Sequence, residues 1–191
     1  MSSQSLLVRK DLNARQVETV ERLLAAAADE LRDVGHEALT IRGVASRARL
    51  SAATAYTYVS SKDRLFAELF WRLLSANPVP GLVDGPPAAR LRQTTRHLTA
   101  VIAGSPAMAA AATKSLLGND PQVQHLRPRI GAVFVDRFRT AMGDAATRRV
   151  LPTFTSAFFG VLLQAGMGFI PFEELSDRLD DVVAVIMEGA E

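Results

Sequence analysis

Cysteine is absent from this 191-residue chain. Its absence excludes a disulfide frame, a thiolate nucleophile and any metal site built on sulfur. Histidine is scarce: His36, His97 and His125 are the only three, and none belongs to an H-E-x-x-H pair. No G-x-S-x-G elbow, phosphate-cradling glycine loop or metal-ligand cluster occurs, and Ser105 and Ser115 have no evident base partner. No enzyme, metal or cofactor is therefore expected. Charge of one sign is missing too, since the net charge is only +2. Strand-like alternation of useful length and internal repeats are lacking. Ser2 to Leu7 holds no extended apolar run of the secretory kind. A cytoplasmic protein is expected on these grounds.

Nearly half of the residues are hydrophobic, 48%, enough for a substantial core. They are arranged helically throughout. A long helix is expected from Ala14 to Val34, with Asn13 as N-cap, Gln16 completing a capping box and Gly35 ending it. Its inward stripe would be Val17, Val20, Leu24, Ala27, Ala28 and Leu31. Three more starts crowd the next segment. Thr40 can cap a helix whose apolar face is Ile41, Val44, Ala45 and Ala48. After the interruption at Arg49-Leu50, Ser51 can open a second short helix, Ala52 to Tyr58. Ser60, with Asp63 three residues on, reads as a third cap. Starts so closely spaced force short helices and sharp turns, the helix-turn-helix arrangement, sealed by Leu50, Ala55 and Val59. Between Thr40 and Phe66 the charges are Arg42, Arg47, Arg49, Lys62 and Arg64 against Asp63 alone. By contrast, Phe172 to Glu191 carries seven acids against Arg178. Such asymmetry would orient the molecule toward a polyanion.

Beyond this segment a fourth helix carries Leu65, Phe66, Leu69, Phe70, Leu73 and Leu74. Four prolines between Asn77 and Pro87 make a loop. Five helices are expected after it: Ala88 to Ala103, Ala107 to Leu117, Asp120 to Met142 with a kink or restart at Pro128, Ala145 to Phe169, and Phe172 to Gly189. The fold class is all-α, nine helices in two domains. The uncharged stretch Leu151 to Phe172 is long enough to span a bilayer. Its prolines, glycines and polar residues, and the helical repeat Leu151, Phe154, Phe158, Leu162, Ala165, Phe169, fit a buried helix better. No membrane partner is expected.

Gly35, Thr40, Ile41, Val44, Ala45, Ala48, Ser51, Tyr56, Tyr58, Val59, Lys62 and Leu65 together match a longer pattern. It is a glycine ending helix one, T-[IV]-x-x-[IV]-A-x-x-A, a turn, serine, then Y-x-Y-[FV]-x-x-K-x-x-L. On these residues the first third of the chain resembles the DNA-binding domain of the TetR/AcrR family of transcriptional regulators. Two positions depart. The usual turn glycine is Arg49, and Gly43 stands where an acid is common. A non-glycine residue at positive φ there costs about 1 kcal/mol.

The resemblance implies a flexible tail over 1–12, a helix-turn-helix domain over 13–60, and a helical ligand-binding and dimerisation domain over 61–191, with helix four (61–76) connecting them. It implies contacts to the DNA backbone from Thr40, Ser51, Tyr56, Tyr58 and Lys62. Ala52, Ala53 and Thr54 open the second short helix and would face base edges. That is a poor set for direct readout, so Arg42, Arg47 or Arg49, or DNA shape, would supply part of the specificity. Helices eight and nine suggest an intermolecular four-helix bundle through Phe158, Leu162, Leu175, Leu179, Val182, Val183 and Ile186. Such a homodimer would match a palindromic double-stranded operator. The middle helices offer Trp71, Met108, Phe134, Phe138, Phe154 and Phe158, with His97 and Gln164 as polar groups, for a small apolar ligand. Family habit implies a repressor released by that ligand. The competing reading is an all-helical small-molecule or lipid carrier that no longer binds DNA.

Overall fold

The computed structural model describes residues 13–188. The tail over 1–12 and the last three residues lie outside that range. Among the described residues the regular structure is helical, with no strand. The helices are α1 (Ala14–Ala38), α2 (Ile41–Arg47), α3 (Ala52–Tyr58), α4 (Lys62–Ala76), α5 (Pro87–Ala103), α6 (Pro106–Leu117), α7 (Pro121–Gln124), α8 (Arg127–Met142), α9 (Val150–Gly166) and α10 (Leu175–Glu188). The expected seventh helix is thus α7 and α8, and counting that broken helix once gives nine. The break falls just before Pro128, where proline lacks an N–H and its ring obstructs the preceding turn. The expected eighth helix begins later, at Val150, because Gly143–Ala145 forms a separate 3₁₀ turn. Phe172–Glu174 is another, so α10 starts at Leu175.

The chain packs as two compact units. One holds residues 13–76 and 107–127, the other 77–106 and 128–188. In the first, Asn13 and Gln16 exchange both capping bonds at 2.9 and 3.0 Å. α1 kinks at Gly35, φ 75° and ψ 171°, a conformation open to glycine. Val20, Leu24, Ala27 and Leu31 are buried as their spacing predicts, and Leu23 and Ala26 join them. Val17 is only half-buried. Against this stripe pack Ile41, Val44, Ala45, Ala48, Ala55 and Val59, with Leu65, Phe66 and Leu69 of α4 and Ala111 of α6.

One cap differs from expectation. Ser61, not Ser60, starts α4: its Oγ accepts from Arg64 N at 3.1 Å, while Ser60 is exposed. Asp63 does not reach back to close a capping box; its Oδ1 accepts from Ser115 Oγ of α6 at 2.8 Å. Ser61 Oγ also donates to Asp120, the N-cap of α7. A side chain drawn into tertiary bonding is unavailable for local capping.

In the second unit α5 and α9 pack on α10. Leu91, Leu98 and Ile102 of α5 meet a core that includes Leu175, Leu179 and Val183. Phe134, Phe138, Phe154 and Phe158 are buried with ring centroids 4.8–6.4 Å apart. Such tilted and edge-on pairs each contribute about 0.5–1.5 kcal/mol beyond area burial. One side of the apolar stretch, Leu151, Phe154, Phe158 and Ala165, is therefore core, whereas Leu162 is only half-buried and Phe169, beyond the end of α9, is 71% exposed, so the expected buried repeat stops at Ala165. Among the described residues no single helix is long and apolar enough to cross a membrane.

Candidate nucleic-acid interface

α2 and α3 are each only seven residues long, so their ends decide their geometry. Thr40 Oγ1 accepts from Gly43 N at 3.0 Å and Ser51 Oγ accepts from Thr54 N at 3.0 Å. Both caps fall where the sequence places them. Between the helices Arg49 N donates to Ser46 O at 3.0 Å and Leu50 N to Ala45 O at 2.9 Å. Arg49 has φ 52°, and it is the sole non-glycine residue with positive φ among those described. The strain expected from an arginine at the glycine position is present.

α3 presents two faces. Ala55 and Val59 are sealed inward at 0% and 1% exposure. Ala53, Tyr56 and Thr57 stand outward, Tyr56 at 49%, while Ala52, Thr54 and Tyr58 are half-buried. Thr57 is absent from the sequence-derived set, though its place four residues after Ala53 puts it on the same face. The Thr54 hydroxyl shares a 2.8 Å bond with Ser51 Oγ, so capping already engages it.

The cations sort themselves by partner. Arg47 bonds Glu30 and Asp33, each at 2.7 Å, and these carboxylates, Asp33 first, hold its pKa above the usual value. Gly43 makes room for that clamp, since a Cβ there would lie 2.8 Å from Glu30 Oε1. Lys62 Nζ donates to Glu37 O at 3.0 Å and Leu39 O at 3.2 Å, at the end of α1. Two of its three donors thus serve the fold rather than standing free for phosphate. Arg42 and Arg49 are exposed, and their side chains make no hydrogen bond or ion pair among the described residues.

A capped helix pair, a seven-residue outward helix and two unengaged arginines beside it form a surface suited to a duplex groove. Comparison with known proteins agrees. The family model described as bacterial regulatory proteins, tetR family, matches residues 23–69, from within α1 through α2 and α3 into α4. An HTH-type transcriptional regulator of Mycobacterium bovis is 42% identical over 180 residues, covering 93% of this chain and 84% of its own. The chain belongs to the TetR family. It is a DNA-binding transcriptional regulator, not an enzyme. The relatives also include the HTH-type transcriptional repressor KstR of Mycolicibacterium smegmatis, 26% identical over 149 residues, 75% of this chain and 73% of that one. The fold matches a TetR regulator from a Rhodococcus species at TM-score 0.73 and 18% identity, covering 92% and 98% of the two chains. It also matches Thermus thermophilus FadR, solved with lauroyl-CoA, at TM-score 0.66 and 20% identity, covering 90% and 94%.

Within this TetR-family chain the residues singled out for a ligand are dispersed. Trp71 and Met108 belong to the first unit, where Met108 packs against the core. In the second unit Phe134, Phe138, Phe154 and Phe158 are buried and pack on one another. His97 Nε2 lies 3.3 Å from Asn77 O, and Gln164 is exposed. The same unit has an open cleft of about 460 Å³ lined by the loop from Pro78 to Leu82, Thr94 of α5, and Asp136, Arg137 and Thr140 of α8. Gln93 latches that loop by accepting from Val83 N at 2.8 Å and donating to Gly81 O at 3.0 Å. Burial pushes the Arg137 pKa down.

The residues singled out for dimerisation also divide. Phe158, Leu175, Leu179 and Val183 are buried within the protomer, each at 1% exposure or less. Leu162, Val182 and Ile186 are partly exposed. Positions 175, 179 and 183 recur every four residues along the inner stripe of α10, which leaves Val185 outside at 75% exposure. Phe159 of α9 is likewise exposed, at 36%.

Proposed function

We propose that the protein is a repressor that binds a palindromic operator as a homodimer through α3, and leaves it when a largely apolar ligand occupies the second unit. Residues 13–60 act as the reading head and α4 leads from it. The observation that carries the reading is the outward face of α3, Ala53, Tyr56 and Thr57, backed by sealed Ala55 and Val59 and flanked by unengaged Arg42 and Arg49. Tyr56 and Tyr58 fit the backbone, as do the hydroxyls of Thr40 and Ser51. Ala52, Ala53 and Thr54 approach base edges, where alanine offers only apolar contact with a thymine methyl. Sequence preference then falls to Arg42, Arg49 and DNA shape.

Support for repression comes from KstR, a repressor by name. Support for an apolar guest comes from FadR, which holds lauroyl-CoA. For this chain the cleft beneath the Pro78–Leu82 loop, apolar at the prolines and carrying both Asp136 and Arg137, suits an amphipathic molecule with a polar end. The ligand must bind the DNA-free form more tightly to act as an inducer.

The test is selection of bound duplexes from a random DNA pool, followed by titration of the winner in salt, with and without lauroyl-CoA. A palindrome should emerge. Its affinity should fall about a thousandfold or more between roughly 50 and 200 mM salt, the loss expected for six or more phosphate contacts. A flat salt response with retained acyl-CoA binding would instead identify a carrier.

A further inference from the structure

The strained turn before α3 has a second holder outside the helix-turn-helix. Arg22 lies on α1, and its Nη2 donates to the carbonyl oxygen of Ala48 at 2.7 Å in a part-buried setting. Ala48 is the C-cap of α2 and sits directly before Arg49. The peptide joining 48 to 49 is thereby held at both ends, its C=O by Arg22 and its N–H by Ser46 O at 3.0 Å. Rotation of that peptide plane about the N–Cα bond of Arg49 is what φ measures. At 52° that torsion lies in the left-handed region, which disfavours a side chain with a Cβ. The two next residues are Leu50, packed on the core, and Ser51, the cap of α3. A relaxation of φ at 49 would therefore turn the whole outward helix.

We propose that Arg22 is a positioning residue for DNA recognition: it fixes the 48–49 peptide so that an arginine can occupy the turn, keeping α3 at one attitude and Arg49 aimed outward. The proposal rests on the DNA-binding reading of α3. Arg22 acts through the backbone of the turn, not through contact with DNA. Glycine at 49 would remove the need for the pin, because glycine enters the left-handed region without penalty. The functional effect of position 22 should accordingly depend on the residue at 49.

The test is a double-mutant cycle on the full chain, using Arg22→Met and Arg22→Lys, each with Arg49 and with Arg49→Gly. The probes are the duplex selected by the unaltered protein and a scrambled duplex of the same composition. With Arg49 present, Arg22→Met should weaken the selected duplex about tenfold and narrow its preference over the scrambled one, the size typical of directly coupled neighbours. In the Arg49→Gly background the same substitution should change affinity less than about twofold, within ordinary additivity. Arg22→Lys, which keeps a donor, should recover part of the loss. Equal losses in both backgrounds would overturn the pin and mark Arg22 as a direct contact or a general support. No loss in either would also overturn it. If the chain binds no duplex at all, the DNA reading fails separately. Thermal unfolding of the six proteins, the parent and both position-22 variants in each background, still decides the pin then, since the melting temperatures must show the same dependence of 22 on 49.

Discussion

Lys62 shows how one side chain can satisfy a family pattern and still be assigned a different task. Its position suits a phosphate contact, at the start of a helix where free N–H groups attract anions. The structure turns its ammonium to the carbonyls of Glu37 and Leu39, beyond the kink at Gly35. Orphan carbonyls at a helix end are satisfied by such a cation. Replacing Lys62 with Met should therefore lower stability by about 1–2 kcal/mol, the lower part of the range for a charged donor because the site is only partly buried. For a chain of this length the melting temperature should fall about 2–8 °C. DNA affinity should weaken alike for all sequences, through a loosened head. A melting temperature unchanged alongside weaker DNA binding would return Lys62 to the phosphate. Gly43 is the complementary case. Its bare Cα reads in the sequence as a weakened cap, whereas its space holds the Glu30 carboxylate that engages Arg47. That relation joins residues 17 positions apart, and no local rule carries it.

The elements that were legible are those whose determinants are local. The Asn13–Gln16 box, the Thr40 and Ser51 caps and the break at Gly35, after which α1 runs on to Ala38, each depend on residues within four positions, whereas the strain at Arg49 was legible only through the family pattern and its turn is also held by Arg22, 26 residues away. Ser61 was not legible, because its cap competes with bonds to Asp120 and because Asp63 turns to Ser115. The inner and outer stripes of α10 are indistinguishable in sequence for a related reason. Apolar residues occupy both, and only packing decides which stripe meets the protomer core. Tertiary ion pairs were equally hidden. Arg72 of α4 forks onto Glu21 of α1, one contact being 2.6 Å, and also approaches buried Glu68 at 3.7 Å. The hydrogen bonds from Arg72 hold the Glu21 pKa below its usual value. A carboxylate with a depressed folded pKa stabilises above its unfolded pKa and loses that contribution as pH falls through the folded value. The α1–α4 clamp should thus be fully present near neutrality and fade below the ordinary glutamate range. Melting curves of the chain and of Glu21→Gln should differ at pH 7 and converge on acidification. Glu21 is half-exposed, so the separation at pH 7 should be small, about 1 kcal/mol or less. A separation that persists at low pH would assign the effect to packing instead.

The proposed reading of a palindrome requires two heads in register, so that proposal depends on how protomers meet. The residues already spent on the protomer core, Phe158, Leu175, Leu179 and Val183, cannot also form the seam. The apolar surface left on the last two helices includes Val185 and Phe159, with Val161, Leu162, Leu163, Val182 and Ile186 partly exposed. In a symmetric dimer each such residue meets its own copy or a near neighbour, so one charge introduced there is introduced twice. Val185→Glu should consequently leave the helical spectrum and melting of the protomer largely intact, because a side chain 75% exposed contributes little to the core. It should shift the mass measured by light scattering from dimer to monomer. Leu179→Ala, at 1% exposure, should instead destabilise the fold by about 2–5 kcal/mol, the range for truncating a buried leucine. The pair separates seam from core. The monomeric Val185→Glu variant should retain weak affinity for a half-site duplex and lose the added affinity for the full palindrome, since linking two binding events raises avidity by about a hundredfold or more. If Val185→Glu stays dimeric and still prefers the palindrome, the seam lies elsewhere, and the outward face of α10 has another use.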